Sequence, residues 1–164
     1  MGRAVPIWVL DTNVLLDWLV FADPGVADIA SWIENGRARA VTRSDCRAEL
    51  VRVLAYPRLC ATDAQRAAAL SHFDHWVAPA GAPSAASAPA ALAAGIPRAL
   101  PQCRDRDDQK FLELARDANA DWLISKDKLV LKLARPMRRL PLFRIVHPRE
   151  ASAALSAAGP AAVS

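Results

Sequence analysis

A parallel β-sheet layered between helices, the three-layer α/β/α arrangement, is the fold class this sequence predicts, and three observations predict it. Short, wholly apolar runs such as Ile7-Trp8-Val9-Leu10 alternate with segments whose apolar residues recur at helical spacing. The runs show no polar alternation, as expected for strands of a mainly parallel sheet covered on both faces. Acids stand just beyond two of these runs, Asp11 after the first and Asp127 two residues after 121–125. That is where open α/β sheets place their ligands.

The elements follow in order. Residues 6–10 predict a central strand, and Val14 to Val20 a helix with Leu15, Leu16 and Leu19 on one side. Asp23-Pro24-Gly25 breaks it, Val26 to Glu34 predicts a second helix ending at Asn35-Gly36, and Ala38 to Thr42 a second strand. Ser44 is the expected N-cap of a helix from Asp45 to about Tyr56, stopped by Pro57. Thr62 and Gln65 form a capping-box pair for a helix carrying Leu70, Phe73 and Val77. Residues 78–97 are rich in Ala, Pro, Ser and Gly, and read as an insertion. Asp107 to Ala118 predicts a helix with Phe111, Leu112, Ala115 and Ala118 inward. Asp121 to Ser125 predicts a strand, Lys128 to Leu133 a short basic helix, and Leu142 to Val146 a last strand. One domain is expected over residues 1–150, followed by a low-complexity tail over 151–164 that frays after Ala151.

Composition narrows the function classes. An apolar fraction of 53% and a charged fraction of 23% describe a soluble globule. No run reaches the ~18 apolar residues of a membrane span, and the N-terminus has no signal-peptide pattern, so a cytoplasmic protein is expected. Cys46, Cys60 and Cys103 are odd in number and scattered, which fits buried free thiols rather than a disulfide framework or a zinc site. Abundant Ala and Arg point to a bacterial, high-GC source. The net charge is +4, and between Lys126 and Arg149 Asp127 is the only acid among eight Lys and Arg residues. A basic strip beside acids suits a polyanion, and equally a solvated face or a docking surface for an acidic protein.

Four acids carry the chemistry. Asp11 closes an apolar strand, where an unpaired charge demands compensation, although it also stands where an N-cap would. Glu49 borders the buried stripe of its helix, with pairing to Arg47 or Arg52 as the ordinary alternative. Asp108 shares a helix face with Phe111, Leu112 and Ala115, whereas Asp105 and Asp107 fit that stripe less well and are kept as outer acids. Asp127 is either a pocket acid or the N-cap of the basic helix. Carboxylates gathered in one place repel, and protons or a hard cation must hold them together.

The segments Val9-Leu10-Asp11-Thr12-Asn13, Glu49, Cys103-Arg104-Asp105-Arg106-Asp107-Asp108 and Ser125-Lys126-Asp127, in this order and separation, resemble the PIN-domain family. The match spans roughly residues 5–147 and is nearest to the VapC-like bacterial toxins of toxin–antitoxin pairs. The resemblance implies a Mg²⁺- or Mn²⁺-dependent ribonuclease. Asp11, Glu49, Asp108 and Asp127 fall on the family's acidic positions, and Asn13 and Ser125 on its polar pocket positions. It implies RNA as substrate, a cognate antitoxin protein, and a homodimer. Lys126, Lys128, Lys132, Arg138 and Arg139 are candidates for gripping the RNA backbone. Lys126 in place of a small residue and the long 78–97 insertion depart from the family pattern. Two other readings stay open: a phosphatase of the haloacid-dehalogenase type, which wants an acid where Asn13 stands, and a non-catalytic module of the same fold.

Overall fold

The computed structural model describes residues 5–59, 61–81 and 99–159. Five parallel strands form one sheet in the order β3-β2-β1-β4-β5, with β1 at Ile7–Leu10, β2 at Arg39–Thr42, β3 at Val77–Pro79, β4 at Trp122–Ile124 and β5 at Arg144–Val146. The helices are α1 (Thr12–Leu19), α2 (Ala27–Glu34), α3 (Ser44–Leu54), α4 (Asp63–Trp76), α5 (Gln109–Asp117), α6 (Lys128–Leu131), α7 (Ala134–Met137) and α8 (Pro148–Ala157). Short 3₁₀ turns occupy Pro24–Val26 and Pro57–Leu59. The expected three-layer α/β/α class with a parallel sheet is the fold observed.

Side-chain alternation along the strands divides the core in two. Trp8, Leu10, Ala40, Ile124 and Val146 face a cluster with Leu15, Ile29, Leu50, Phe73 and Leu155. Val9, Val41, Leu123 and Ile145 face the opposite cluster, with Phe111, Leu112, Ala115, Val130 and Phe143. This two-sided burial explains the uninterrupted apolar runs. Trp8, 1% exposed, stacks between Trp122 at 5.2 Å and Trp32 at 6.1 Å. Trp8 and Trp122 therefore serve the core, as expected of residues inside strands.

Several local expectations are corrected. Ser44 is the first residue of α3 rather than its cap; Arg43 takes the cap position, and Asp45 accepts from Arg43 Nε at 2.9 Å and from the Cys46 amide at 2.8 Å. The insertion expected from residue 78 begins later, because Val77–Pro79 pairs with β2 as an edge strand. An edge tolerates proline, since one side of the strand needs no donors. Residues 82–97 of that insertion lie outside the described residues. The basic helix ends at Leu131, and a second short helix, α7, follows.

The tail does not fray at Ala151. His147 caps α8 by accepting from the Arg149 amide at 3.1 Å, and Pro148 sits in the first turn, where its missing N–H costs nothing. Ala151 and Leu155 then bury against the first core cluster. Low complexity concealed a helix whose small residues allow close packing. Residues 160–164 of the tail lie outside the described residues. No described helix is long and apolar enough to cross a membrane. Cys46 and Cys103 are buried free thiols, as expected, whereas Cys60 lies outside the described residues.

Leu155→Ala is expected to cost about 2 kcal/mol in urea unfolding, the lower range for a buried Leu. A frayed tail would register within about 0.5 kcal/mol of wild type.

Candidate active site

The chain builds β2 and β3 outward on one side of β1, and β4 and β5 on the other. The β1/β4 seam is therefore a topological switch point, where the crossovers diverge and leave a crevice at the strands' carboxyl ends. Leu10 is in register with Ile124, so the residues that follow them, Asp11 and Ser125, meet. The Asp11 amide donates to Ile124 O at 3.0 Å, and Ser125 Oγ donates to Asp11 Oδ2 at 2.6 Å. Asn13 Nδ2 adds a longer hydrogen bond to the same oxygen at 3.3 Å.

Asp11 is 4% exposed and stands at the cap position of α1, yet its side chain caps nothing. Burial raises its pKa, partly offset by the hydrogen bond from Ser125, while Glu49 and Asp127 push it further up. Asp108 likewise precedes α5 without capping it. Its pKa rises from 3.8 to about 7, first through desolvation and then through the charges of Asp11, Asp105, Asp127 and Glu49. Asp11 thus feels the charges of Glu49 and Asp127, and Asp108 feels those of Asp11, Asp127 and Glu49, although each comes from a separate part of the chain.

They are not equally free. Asp127 is the N-cap of α6: its Oδ1 accepts from the amides of Leu129 at 2.6 Å and Val130 at 3.3 Å. It remains near enough to Asp11 and Asp108 to raise both pKa values, so the cap and pocket positions coincide. Glu49 accepts from Thr12 Oγ1 at 2.8 Å and forms an ion pair with Lys110. Its side chain is 13% exposed, and Arg52 forms a looser ion pair with it at 4.0 Å. Asp105 accepts from the Asp107 amide at 2.9 Å in a local turn and adds to the field on Asp108. Asp107 is exposed.

The Ser125-Lys126-Asp127 segment is stitched to α1. Ser125 Oγ accepts from the Asp127 amide at 3.0 Å, and the Lys126 amide donates to Asn13 Oδ1 at 3.3 Å. The Lys126 ammonium pairs with buried Asp17, while Lys126 itself stays exposed. Lys128, Lys132, Arg138 and Arg139 are exposed, and none has an ion pair among the described residues. Sequence reasoning missed Thr12, Asp17 and Lys110. A polar residue directly after Asp11 and a lysine two positions after Asp108 were the available signals.

The donor set is all oxygen, the chemistry that Mg²⁺ and Mn²⁺ select. Among the described residues no three Asp, Glu, His or Cys side chains stand in a ready-made ligand cage. Mg²⁺ keeps several waters and is commonly held through one or two carboxylates. Asp11 and Asp108, whose side chains cap no helix, fit that part.

An α/β domain with acids gathered beside its strand switch point is the class that fold and site together define. The chain belongs to the PIN-domain family: the PIN domain profile matches residues 8–129, a span containing all four acids. PIN domains are generally nucleases that use divalent metal ions. No curated protein sequence matches the chain. Among solved structures it is similar to a chain of the crystal structure of VapBC2 from Rickettsia felis bound to a DNA fragment from their promoter. That similarity has a TM-score of 0.52 at 14% identity and covers 86% of this chain and 98% of that one. At such identity the likeness concerns the fold.

The raised pKa of Asp108 sets a sign for pH. Stability it permits is complete below its unfolded value of 3.8 and is lost as pH rises through about 7. In chelator, unfolding free energy is expected to fall across that window, and Asp108→Asn to flatten the fall. An unchanged slope in that variant would place the strain elsewhere.

Proposed function

We propose that this protein is a Mg²⁺- or Mn²⁺-dependent endoribonuclease and the toxin member of a toxin–antitoxin pair, acting in the cytoplasm. One observation carries the reading: Asp11, Glu49, Asp108 and Asp127, far apart in the chain, lie near enough that Glu49 and Asp127 raise the pKa of both Asp11 and Asp108. An idle cluster of this kind would only destabilise the fold. The likeness to the VapBC2 structure supports an antitoxin protein as partner, and a homodimer is part of the same reading.

In this mechanism Asp11, Asp108, Asp127 and Glu49 would hold the cation, Asp11 and Asp108 most directly. A divalent ion bound there supplies Lewis-acid neutralisation of the scissile phosphate. Ser125 and Asn13 fix the Asp11 carboxylate through their hydrogen bonds, which spares reorientation when charge arrives. Glu49 positions or deprotonates the attacking water, and Thr12 sets the direction of its carboxylate. Lys128, Lys132, Arg138 and Arg139 draw the RNA backbone toward the crevice. Lys126 acts at one remove, holding the segment that carries Ser125 and Asp127 against α1.

Incubation with mixed RNAs and Mn²⁺ is expected to give cleavage that EDTA stops. Asp11→Asn removes nearly all of it while keeping the fold, because a neutral isostere relieves a buried charge. Cleavage retained by that variant, in nuclease-free preparations, contradicts the assignment. Absence of cleavage in wild type, with RNA still bound, favours a non-catalytic module instead.

The paired change Arg138→Ala/Arg139→Ala is expected to weaken RNA binding at low salt. The slope of log K against log salt should drop by ~0.7 for each phosphate of a single strand that the variant no longer neutralises. An identical slope would remove these arginines from the RNA path.

A further inference from the structure

Both oxygens of Glu49 are occupied, and one occupant is a cation. Oε1 accepts from Thr12 Oγ1 at 2.8 Å, and Oε2 is in direct contact with the Lys110 ammonium. The two side chains of that ion pair are only 17% and 13% exposed, so water screens it little. Arg52 reaches toward the same oxygen, but at 4.0 Å and with 61% of its side chain exposed. Such an exposed, loose pair contributes little.

Lys110 stands in the first turn of α5, two residues after Asp108. A cation is poorly placed there with respect to the helix dipole, which favours acids at a helix N-terminus. Its position makes sense against the pocket instead, where acids converge that burial and mutual repulsion keep from ionising freely. The ammonium also lies 5.4 Å from the centroid of the Phe111 ring, an interaction that holds it at the wall rather than in bulk water. Two other basic groups of this region are turned to other partners: Lys126 to Asp17, and Arg43 to Asp45, Glu113 and Asp117.

We propose that Lys110 is a built-in counter-ion of the acidic pocket. It holds Glu49 while no divalent ion is bound and competes with the ion for that carboxylate, so that loading the pocket breaks the Lys110–Glu49 ion pair. This rests on the reading of the crevice as a cation site. Lys110 is a positioning residue here, acting through Glu49. An ordinary bridge between α3 and α5 would add stability and leave ion affinity alone. A competing counter-ion has the opposite signature: its removal loosens the ion-free protein and tightens its grip on the metal.

Calorimetric titration of Mn²⁺ into the full chain separates the two. Lys110→Met is expected to bind Mn²⁺ about tenfold more tightly than wild type, since a like charge leaves the pocket and Glu49 is freed. In chelator the same variant should melt at a lower temperature, and Mn²⁺ should raise its melting point by more than it raises that of wild type. Lys110→Arg, which keeps the charge, restores wild-type affinity. In a Glu49→Gln background most of the gain from Lys110→Met disappears. Should the Met variant fail to fold, Lys110→Gln takes its place with the same expected tightening. Unaltered or weaker Mn²⁺ affinity in a folded Lys110 variant overturns the counter-ion role alone. A full gain in the Glu49→Gln background overturns the part assigned to Glu49. Absence of any Mn²⁺ heat in wild type and variants overturns the cation-site reading beneath it.

Discussion

The hydrogen bond from Ser125 Oγ to Asp11 Oδ2, 2.6 Å long across the β1/β4 seam, is the interaction on which the site depends. It joins residues 114 apart in the chain and satisfies a carboxylate that burial would otherwise protonate or expel. The sheet makes it possible by pairing Leu10 with Ile124 in register. A slip of one residue would turn Leu10 and Ile124 away from their core cluster and separate the two polar groups at once. Core packing and site geometry are therefore the same constraint seen from two ends of the strand.

From that seam the remaining acids take their places by different devices. Asp127 is held by capping α6, Glu49 by Thr12 and Lys110, and Asp108 by its position ahead of an amphipathic helix whose apolar face is anchored through Phe111, Leu112 and Ala115. Asp127 is the N-cap of α6 and also lies near enough to Asp11 and Asp108 to raise their pKa values. The backbone amides that α6 leaves unpaired fix the carboxylate beside the crevice. Rigid placement by helix ends and strand ends suits a site in which a cation must meet several oxygens together.

The order and kind of the large elements were legible because their apolar periodicity is strong, and Asp11 was legible as a charge ending a buried strand. Three features were not. The strand at Val77–Pro79 is short and carries proline, which only its edge position permits. Helix α8 hides in an Ala/Ser-rich stretch, where small side chains give weak periodicity yet pack closely at Ala151. Lys110, Thr12 and Asp17 were passed over because each acts through a partner distant or unremarkable in sequence, and a lysine on a helix is ordinarily solvated. Charge compensation inside a pocket becomes visible only when the elements are assembled.

The proposed function requires Asp11 and Asp108 to share one divalent cation. Anomalous diffraction from crystals of the full chain grown or soaked with Mn²⁺ tests it directly. A strong Mn²⁺ peak is expected between those two carboxylates, at the carboxyl ends of β1 and β4. A Mn²⁺-saturated crystal with no peak there, or with its peak held by other residues, would contradict it.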